Sequence, residues 1–176
     1  AFGLDRIPGL GHWGCRMREA DYSARQSVDQ VIGAFLAVRR GVFDAIGGFD
    51  ERFFLYYEEV DLCRRIRRAD FDILYDPAVV FTHAIEKLPP AELAPRLAYN
   101  AHSRVVYARK HWGWLAAAYV LGLASVVEPC VRAVAGIASS RGLPPGAVAR
   151  YLARLWRGIG RTGSARSVGI DEKQDN

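Results

Sequence analysis

Strand-like and helix-like patterns follow each other at short intervals between residues 28 and 82, and this constrains the fold more than any other feature. Residues Val28–Arg39 are dense in β-branched and aromatic side chains and predict a strand. Arg40–Ile46 predicts a short helix, and Gly47 is well placed to end it in a left-handed conformation. The ordered part of the chain is therefore predicted to begin with a strand and a short helix.

A second and clearer helix is predicted over Glu59–Ala69, where apolar residues recur at three- and four-residue steps. Four arginines fall mainly on its opposite face. Phe71–Tyr75 alternates and predicts a strand, which Asp76 and Pro77 close. Ala78–Thr82 predicts a further short strand, with His83 at its end.

The flanking sequence is less regular. Residues 1–30 are rich in glycine and polar residues and are predicted to be irregular. Lys87–Pro95 is expected to be a proline-punctuated linker, and Arg96–His111 one long helix. Residues 141–176 are predicted to form a basic, partly disordered tail with one amphipathic piece around Tyr151–Trp156.

An apolar run without any charge extends over the sixteen residues from Trp112 to Val127. A helix needs about 20 such residues to cross the hydrocarbon layer, so this run is too short to predict a span. It is compatible with an interfacial helix, a partly inserted helix or a buried one. Trp112 and Trp114 at its edge suit a membrane surface, so residues 112–140 are predicted to be a helical, possibly membrane-associated segment.

The net charge of +5 comes from arginine, which suits phosphate-bearing partners such as nucleotide sugars, anionic lipids or nucleic acid. No nucleic-acid-binding motif is recognised, so nucleic acid is not an expected partner. Cys15, Cys63 and Cys130 are scattered and predict neither a disulfide framework nor a zinc site. The first twenty residues lack the continuous apolar core of a signal peptide, and a cytoplasmic location is expected.

Three acids, Glu58, Glu59 and Asp61, stand at the start of the second predicted helix. Acids in a first helical turn stabilise the helix dipole by about 0.3–1 kcal/mol, and the spacing alone favours this structural role. The functional alternative is a general base, because a sugar hydroxyl becomes a good nucleophile only as its proton is removed.

An aromatic-rich loop precedes these acids, with the sequence GGFDERFFLYY. Aromatic faces beside carboxylates are typical of carbohydrate sites, although rings of this kind also fill protein cores. His83 is a candidate metal ligand that would need at least two carboxylates from elsewhere, since one imidazole does not hold a hard divalent cation.

Taken in order, the residues between Val31 and His83 resemble the second half of the catalytic domain in glycosyltransferase family 2, particularly its rhamnosyltransferase-like members. The matching residues are Gly33-Ala34, Arg39-Arg40, Phe43, Gly47-Gly48-Phe49-Asp50-Glu51, Phe53-Phe54, Tyr56, Glu58, Asp61-Leu62, Arg65, Tyr75, Pro77, Ala78 and His83. The resemblance implies an α/β class and a partial GT-A fold, the acceptor-side half, over residues 31–111. C-terminal helices would follow it.

The resemblance also implies residue roles. Glu59 would be the catalytic base, at a position where the family usually has Asp, and Glu58 would orient the site. The remaining implied roles are acceptor binding by Asp50, Glu51, Phe54 and Tyr57, donor binding by Gly33, Ala34 and Arg65, and metal binding by His83. The cofactor would be Mg²⁺ or Mn²⁺. Its further ligands would be a D-x-D-type pair of aspartates, which is expected to be missing from this chain.

The implied reaction is transfer of a hexose, with inversion, from a nucleotide-diphospho-sugar to a saccharide or lipid-linked acceptor. It would serve cell-surface polysaccharide or glycolipid synthesis at the cytoplasmic face of the membrane. The diphosphate-binding half is not recognised, so the chain alone is predicted to be incomplete for catalysis. The alternative is a non-catalytic membrane-surface module, favoured by the basic helix face Arg64–Arg68, the apolar run and the Glu at position 59.

Overall fold

The computed structural model describes residues 21–84, 90–132 and 145–164. The elements, in chain order, are β1 Gln26–Ser27, α1 Arg40–Ala45, α2 Glu58–Arg68, β2 Leu74–Tyr75, α3 Pro90–Trp112, α4 Trp114–Gly122 and α5 Pro145–Ser164. A π-helical turn, Leu123–Val127, continues α4, and the whole helix extends over Trp114–Arg132. This whole helix is called the apolar helix below. The described residues are thus mostly helical.

The strands are shorter than the sequence predicts. β1 and β2 pair antiparallel, with Gln26 opposite Tyr75, and the amide of Val28 donates to the carbonyl of Ile73 at 2.9 Å. The strands predicted over Val28–Arg39 and Ala78–Thr82 are wrong, and of Phe71–Tyr75 only the last two residues pair. A strand needs a neighbour to satisfy its backbone groups, and the described residues contain only this one pair.

The residues predicted as the first strand bury their apolar side chains from a loop instead. Val31, Leu36 and Val38 pack against a cluster centred on α2. The buried members of that cluster are Val28, Leu62, Cys63, Ile66 and Ile73. The hydrophobic effect has no directional requirement, so the apolar side chains of this loop can be buried without forming a sheet.

Helices α1 and α2 agree with their predicted positions to within one residue. Gly47 and Gly48 follow α1 with φ angles of +78° and +66°, which confirms the predicted left-handed stop. The arginines of α2, however, do not form one solvated face. Arg65 is largely buried, Arg64 lies over the rings of Tyr107 and Trp112, and Arg67 contacts Asp72.

Helix α3 is the centre of the molecule and begins earlier than predicted. Pro90 is its first residue. Proline is tolerated there because the first N–H groups of a helix have no acceptor within the helix. Pro95 lies inside the helix. The predicted linker over Lys87–Pro95 is therefore wrong for its last six residues, while residues 85–89 lie outside the described part. One face of α3 packs on the aromatic loop, through Val106 and Tyr107 against Phe53.

The other face of α3 packs on the apolar helix and α5 through small side chains. The buried alanines of this contact are Ala94, Ala98, Ala101, Ala124 and Ala147. Tyr151 and Leu155 of α5 fill the space between them, and the Tyr151 hydroxyl donates to the Ala124 carbonyl at 2.8 Å. Burial raises the pKa of Tyr151 to about 12. The amphipathic piece predicted around Tyr151–Trp156 thus belongs to a longer, docked helix, and the last residues of the predicted tail lie outside the described part.

Among the described segments, the apolar helix is the single helix long and apolar enough to cross a membrane by length and composition. Only 22% of its apolar window is buried inside the molecule. Its buried side carries Glu128, which accepts from Arg104 of α3 and from Arg132 at 2.8 Å. Burial alone would raise the pKa of Glu128, but the two arginines more than offset it and the pKa is lowered.

Candidate active site

A cavity of about 600 Å³ lies between the loop after residue 32 and the start of α2. The lining residues are Gly33, Ala34, Phe35, Leu36, Val38, Arg40, Phe43, Phe49, Glu58 and Glu59. The lining is therefore mostly apolar, with one arginine and two carboxylates. This composition is typical of small-molecule sites, which combine apolar surface with a few placed polar groups.

Glu58 and Glu59 form the first turn of α2 and face this cavity. The Oε2 atom of each carboxylate is buried and has no hydrogen-bond partner among the described residues. Burial raises the pKa of Glu58, and the neighbouring Glu59 charge raises it further. Buried polar atoms usually have a hydrogen-bond partner in proteins, so each of the two oxygens is available to a ligand group in the cavity.

Gly33 brings the backbone of the preceding loop directly onto Glu59. A Cβ atom at position 33 would lie 3.5 Å from the side-chain carbons of Glu59, which is ordinary contact distance. The structure thus brings together the predicted donor-binding pair, Gly33 and Ala34, and the predicted catalytic pair, Glu58 and Glu59.

The backbone immediately before these acids is strained. Tyr56 and Tyr57 have φ angles of +68° and +70°, and Tyr57 is the N-cap of α2 without a side-chain cap. Each left-handed non-glycine residue costs about 1–3 kcal/mol and persists only when its surroundings hold it. Such strain clusters at functional sites, and here it sets the direction in which α2 starts.

The restraint comes from a buried ionic cluster around Asp61, whose exposed fraction is 0%. Its carboxylate accepts from Arg65 Nε at 2.8 Å, from Lys110 Nζ at 2.7 Å and from His111 Nε2 at 2.7 Å. Lys110 Nζ also donates to Asp50 at 2.6 Å. One lysine of α3 therefore ties the start of α2 to the GGFDE loop.

The electrostatics of the cluster favour charged acids. Burial alone would raise the pKa of Asp61, but hydrogen bonds from Lys110, Arg65 and His111 outweigh it and the pKa is lowered. The Arg52 guanidinium, assisted by Lys110, holds the pKa of Asp50 well below its usual range. Burial lowers the pKa of His111 despite its bond to Asp61, so this histidine is held towards its neutral form.

The four predicted acceptor-binding residues do not line the cavity. Asp50 is engaged by Arg52 and Lys110, and Glu51 is exposed on the surface. Phe54 is 74% exposed, with its ring 4.9 Å from that of Tyr99, and the Tyr57 ring packs 5.5 Å from Tyr107. Their acceptor roles stay predictions that the geometry of this cavity does not support.

Arg65 and His83 also lie apart from the cavity lining. The Arg65 guanidinium donates to the carbonyls of Ile46 and Gly48 at 2.7 and 2.6 Å, besides Asp61, so its contacts are those of a structural residue. His83 is exposed and is not among the lining residues, so the structure does not place it in one cavity with Glu59.

The expectation that the chain lacks D-x-D spacing is wrong, because Asp70 and Asp72 have it. They lie in the turn after α2, where both are exposed and Asp72 pairs with Arg67 at 3.1 Å. Within the described ranges, no three His, Cys, Asp or Glu side chains converge as a metal site would require.

Sequence reasoning missed the apolar walls of the cavity and the Asp61 cluster. Phe35 and Leu36 were assigned to a strand, although Phe35 in fact lines the cavity and stacks on Phe81 at 5.2 Å. Lys110 and His111 lie about fifty positions beyond Asp61, and no local signal connects them.

Residues 9–108 match the model of the family described as "Glycosyltransferase like family 2". This match covers more than half of the chain, so the chain belongs to this family of sugar-transferring enzymes. Membership implies a GT-A fold, of which the described residues show a mostly helical part with a two-stranded sheet. The predicted family is confirmed, and the predicted α/β class is visible only in part.

Several curated relatives are similar over shorter stretches. N-acetylglucosaminyl-diphospho-decaprenol L-rhamnosyltransferase of Mycobacterium tuberculosis is 35% identical over 92 residues, which are 52% of this chain and 30% of the relative. Rhamnosyltransferase WbbL of Escherichia coli is 41% identical over 58 residues, or 33% of this chain and 21% of the relative. Low-salt glycan biosynthesis hexosyltransferase Agl10 of Haloferax volcanii is 41% identical over 46 residues, which are 26% of this chain and 15% of the relative.

The matched part of this chain thus spans about a third or less of these relatives. No solved structure matches the chain.

Proposed function

We propose that this chain carries the acceptor-side part of an inverting glycosyltransferase that uses a nucleotide-diphospho-sugar, with Glu59 as the base. One observation supports this most: Glu59 faces a cavity of about 600 Å³, with a buried carboxylate oxygen that has no partner among the described residues. Membership in glycosyltransferase family 2 gives the carboxylate a reaction to serve.

In the proposed step, the Glu59 carboxylate accepts the proton of an acceptor hydroxyl as the oxygen attacks the anomeric carbon of the donor sugar. The bond from that carbon to the diphosphate oxygen breaks on the opposite side, which inverts the configuration. The cluster around Asp61 fixes the start of α2 and so holds Glu59 in place. Glu58, with its raised pKa, limits the negative charge beside the base.

The described residues do not fit a Mg²⁺ or Mn²⁺ site, because His83 lies outside the cavity lining and no three ligands converge. We propose that the cation and the diphosphate of the donor are bound by residues other than those described.

For substrates, we propose a hexose donor and a saccharide or lipid-linked acceptor. The support is in the names of the relatives, two of which are rhamnosyltransferases and one a hexosyltransferase. We also propose a role in polysaccharide or glycolipid synthesis at the cytoplasmic face of the membrane. The names of two relatives, which include a diphospho-decaprenol and glycan biosynthesis, support the kind of product but not the location.

The test is a chimera in which residues 9–112, which include Lys110 and His111 of the Asp61 cluster, replace the corresponding segment of the mycobacterial rhamnosyltransferase. An active chimera should lose kcat by about 100-fold or more on Glu59→Gln, which is the usual contribution of a general base. Glu59→Asp keeps the carboxylate and should remain active. Asp29→Asn, a change at an exposed acid outside the cavity, is the matched control and should leave kcat unchanged.

Full activity of the Glu59→Gln chimera would refute the proposed base. A chimera that binds acceptor but stays inactive with either Glu or Asp at position 59 would favour the non-catalytic alternative. In a separate assay, the purified 176-residue chain is expected to transfer no sugar from labelled nucleotide sugars, since its cavity lacks a complete cation site. Turnover by this chain would show that it is complete.

A further inference from the structure

The apolar helix exposes an uncharged stripe along its whole length. Trp114 and Leu115 are exposed at its start, and Tyr119, Val126 and Val131 follow at steps of four, seven and five residues, which are about one or two helical turns. Leu115 and Tyr119 are 67% and 69% exposed. Its opposite side is occupied, because Ala117 and Ala124 are buried in the packing with α3 and α5. The stripe therefore remains exposed to solvent in the described part of the chain. Large exposed apolar surfaces of this kind mark interaction sites.

Helix α5 adds a basic stripe. Arg150, Arg154, Arg157 and Arg161 are exposed at three- and four-residue steps, and the helix contains no acid. The first three line a groove of about 380 Å³ together with Pro95 of α3. None of the four has a carboxylate within 4.0 Å among the residues that the structure describes.

An uncharged stripe on α5 borders the arginines. Gly146, Ala149, Ala153 and Trp156 are all exposed and follow each other at three- and four-residue steps. Arg154 contacts Tyr99 and Arg157 donates to the Ala153 carbonyl, but neither has a carboxylate partner among the described residues. An uncharged strip with an aromatic anchor, Trp156, beside arginines without acidic partners is the pattern of a helix that lies in the membrane interface. The arginines supply the charge complementarity, since anionic lipid headgroups attract them.

We propose that the apolar helix and α5 together form a docking face that lies flat on a bilayer containing anionic phospholipid. The helix does not cross the bilayer, although its length would allow it. Glu128 is five residues from the helix midpoint, so in a spanning pose its ion pairs with Arg104 and Arg132 would lie roughly 8 Å from the bilayer centre. Charged groups at that depth are costly, whereas a flat pose leaves them on the protein side.

The charge arm of the test uses the full 176-residue chain in flotation with phosphatidylcholine vesicles, with and without phosphatidylglycerol. Binding is expected only when the anionic lipid is present. Arg150→Gln/Arg154→Gln/Arg157→Gln should weaken it on the order of 100-fold, since each basic residue near the surface contributes about fivefold. The control Arg25→Gln/Arg39→Gln/Arg68→Gln removes the same charge from exposed positions outside these two helices and should have a much smaller effect.

The apolar arm compares Leu115→Glu/Val126→Glu with Ile32→Glu/Val80→Glu. All four positions are exposed, so both variants should fold, and circular dichroism checks this. Leu115→Glu/Val126→Glu should abolish flotation with the vesicles, whereas Ile32→Glu/Val80→Glu should leave most of the flotation intact. Absence of binding by the parent chain, equal binding to neutral vesicles, or equal loss in a variant and its control would overturn the proposal.

A depth measurement separates the flat pose from a spanning one. A nitroxide on Gly122→Cys, in a background with Cys15→Ser and Cys130→Ser, reports the depth of the helix midpoint by electron paramagnetic resonance. A depth within about 10 Å of the headgroups is expected for an interfacial helix. A label at the bilayer centre would show that the helix spans and would overturn the flat pose.

Discussion

The site region, residues 21–84, and the helical layer formed by α3, the apolar helix and α5 are stabilised in different ways. The site region has two left-handed tyrosines before its acids and depends on buried charges for its shape. The helical layer packs alanines closely around Tyr151 and Leu155, and it contains one buried acid, Glu128, which pairs with Arg104 and Arg132. The two regions therefore differ in backbone strain, because among the described residues the non-glycine residues with positive φ all lie in the site region, two of them directly before the cavity-facing acids.

The largest effect is expected in the site region, from Asp61→Ala. Removing the Asp61 carboxylate would leave Lys110, His111 and Arg65 without their shared partner. Breaking a buried ion pair typically lowers the free energy of unfolding by about 3–5 kcal/mol. Urea unfolding measures the loss. Asp44→Ala removes an exposed carboxylate paired with Arg40 and should cost less than about 1 kcal/mol. Equal costs for the two variants would contradict the central role of Asp61.

An intermediate effect is expected in the helical layer, from Gly158→Ala. The added Cβ would lie 2.9 Å from the ring of His102 on α3, so the close contact between α3 and α5 must open. Overpacking of this kind costs about 1–3 kcal/mol.

Gly160→Ala is the matched control for that change. A Cβ at position 160 meets nothing within 4 Å, so this substitution should stabilise the helix by up to about 1 kcal/mol. Thermal unfolding of both variants checks the pair, and a stabilising Gly158→Ala would disprove the close helix contact.

A smaller effect is expected from acid, and it should reach both regions. The pKa values of Asp61 and Glu128 are lower in the folded state than in the unfolded state. Their stabilisation is therefore complete above their unfolded pKa, near pH 4, and is lost as the pH falls through the folded values.

Denaturant midpoints between pH 7 and pH 3 would show this loss in the parent chain. The variants Asp61→Asn and Glu128→Gln should each have a lower denaturant midpoint than the parent chain at pH 7. Below pH 4 their midpoints should fall less steeply than that of the parent chain. A midpoint that rises on acidification would be inconsistent with the lowered pKa values.

How far the sequence could predict the molecule follows from the range of each interaction. Helix α2 and the glycine stop after α1 were predicted closely, because apolar periodicity and left-handed glycines are local signals. The strand predicted over Val28–Arg39 failed because β-branched residues indicate only a burial tendency, while a strand also requires a partner. The proposed roles of Gly33 and Glu59 rest on the family resemblance, whereas their proximity is seen only in the structure.

The sequence by itself determined the family, the helix periods and the acids at the start of α2, since these depend on residue identity and order. Only the tertiary structure decided that Lys110 of α3 bridges Asp50 and Asp61, and that the predicted acceptor residues are not among those lining the cavity. It also decided that Arg65 and Arg67 of α2 pair with acids, while the exposed arginines of α5 have no carboxylate partner among the described residues. The physical reason is that burial and ion pairing depend on which surfaces of distant segments pack together, and local sequence patterns do not encode that choice.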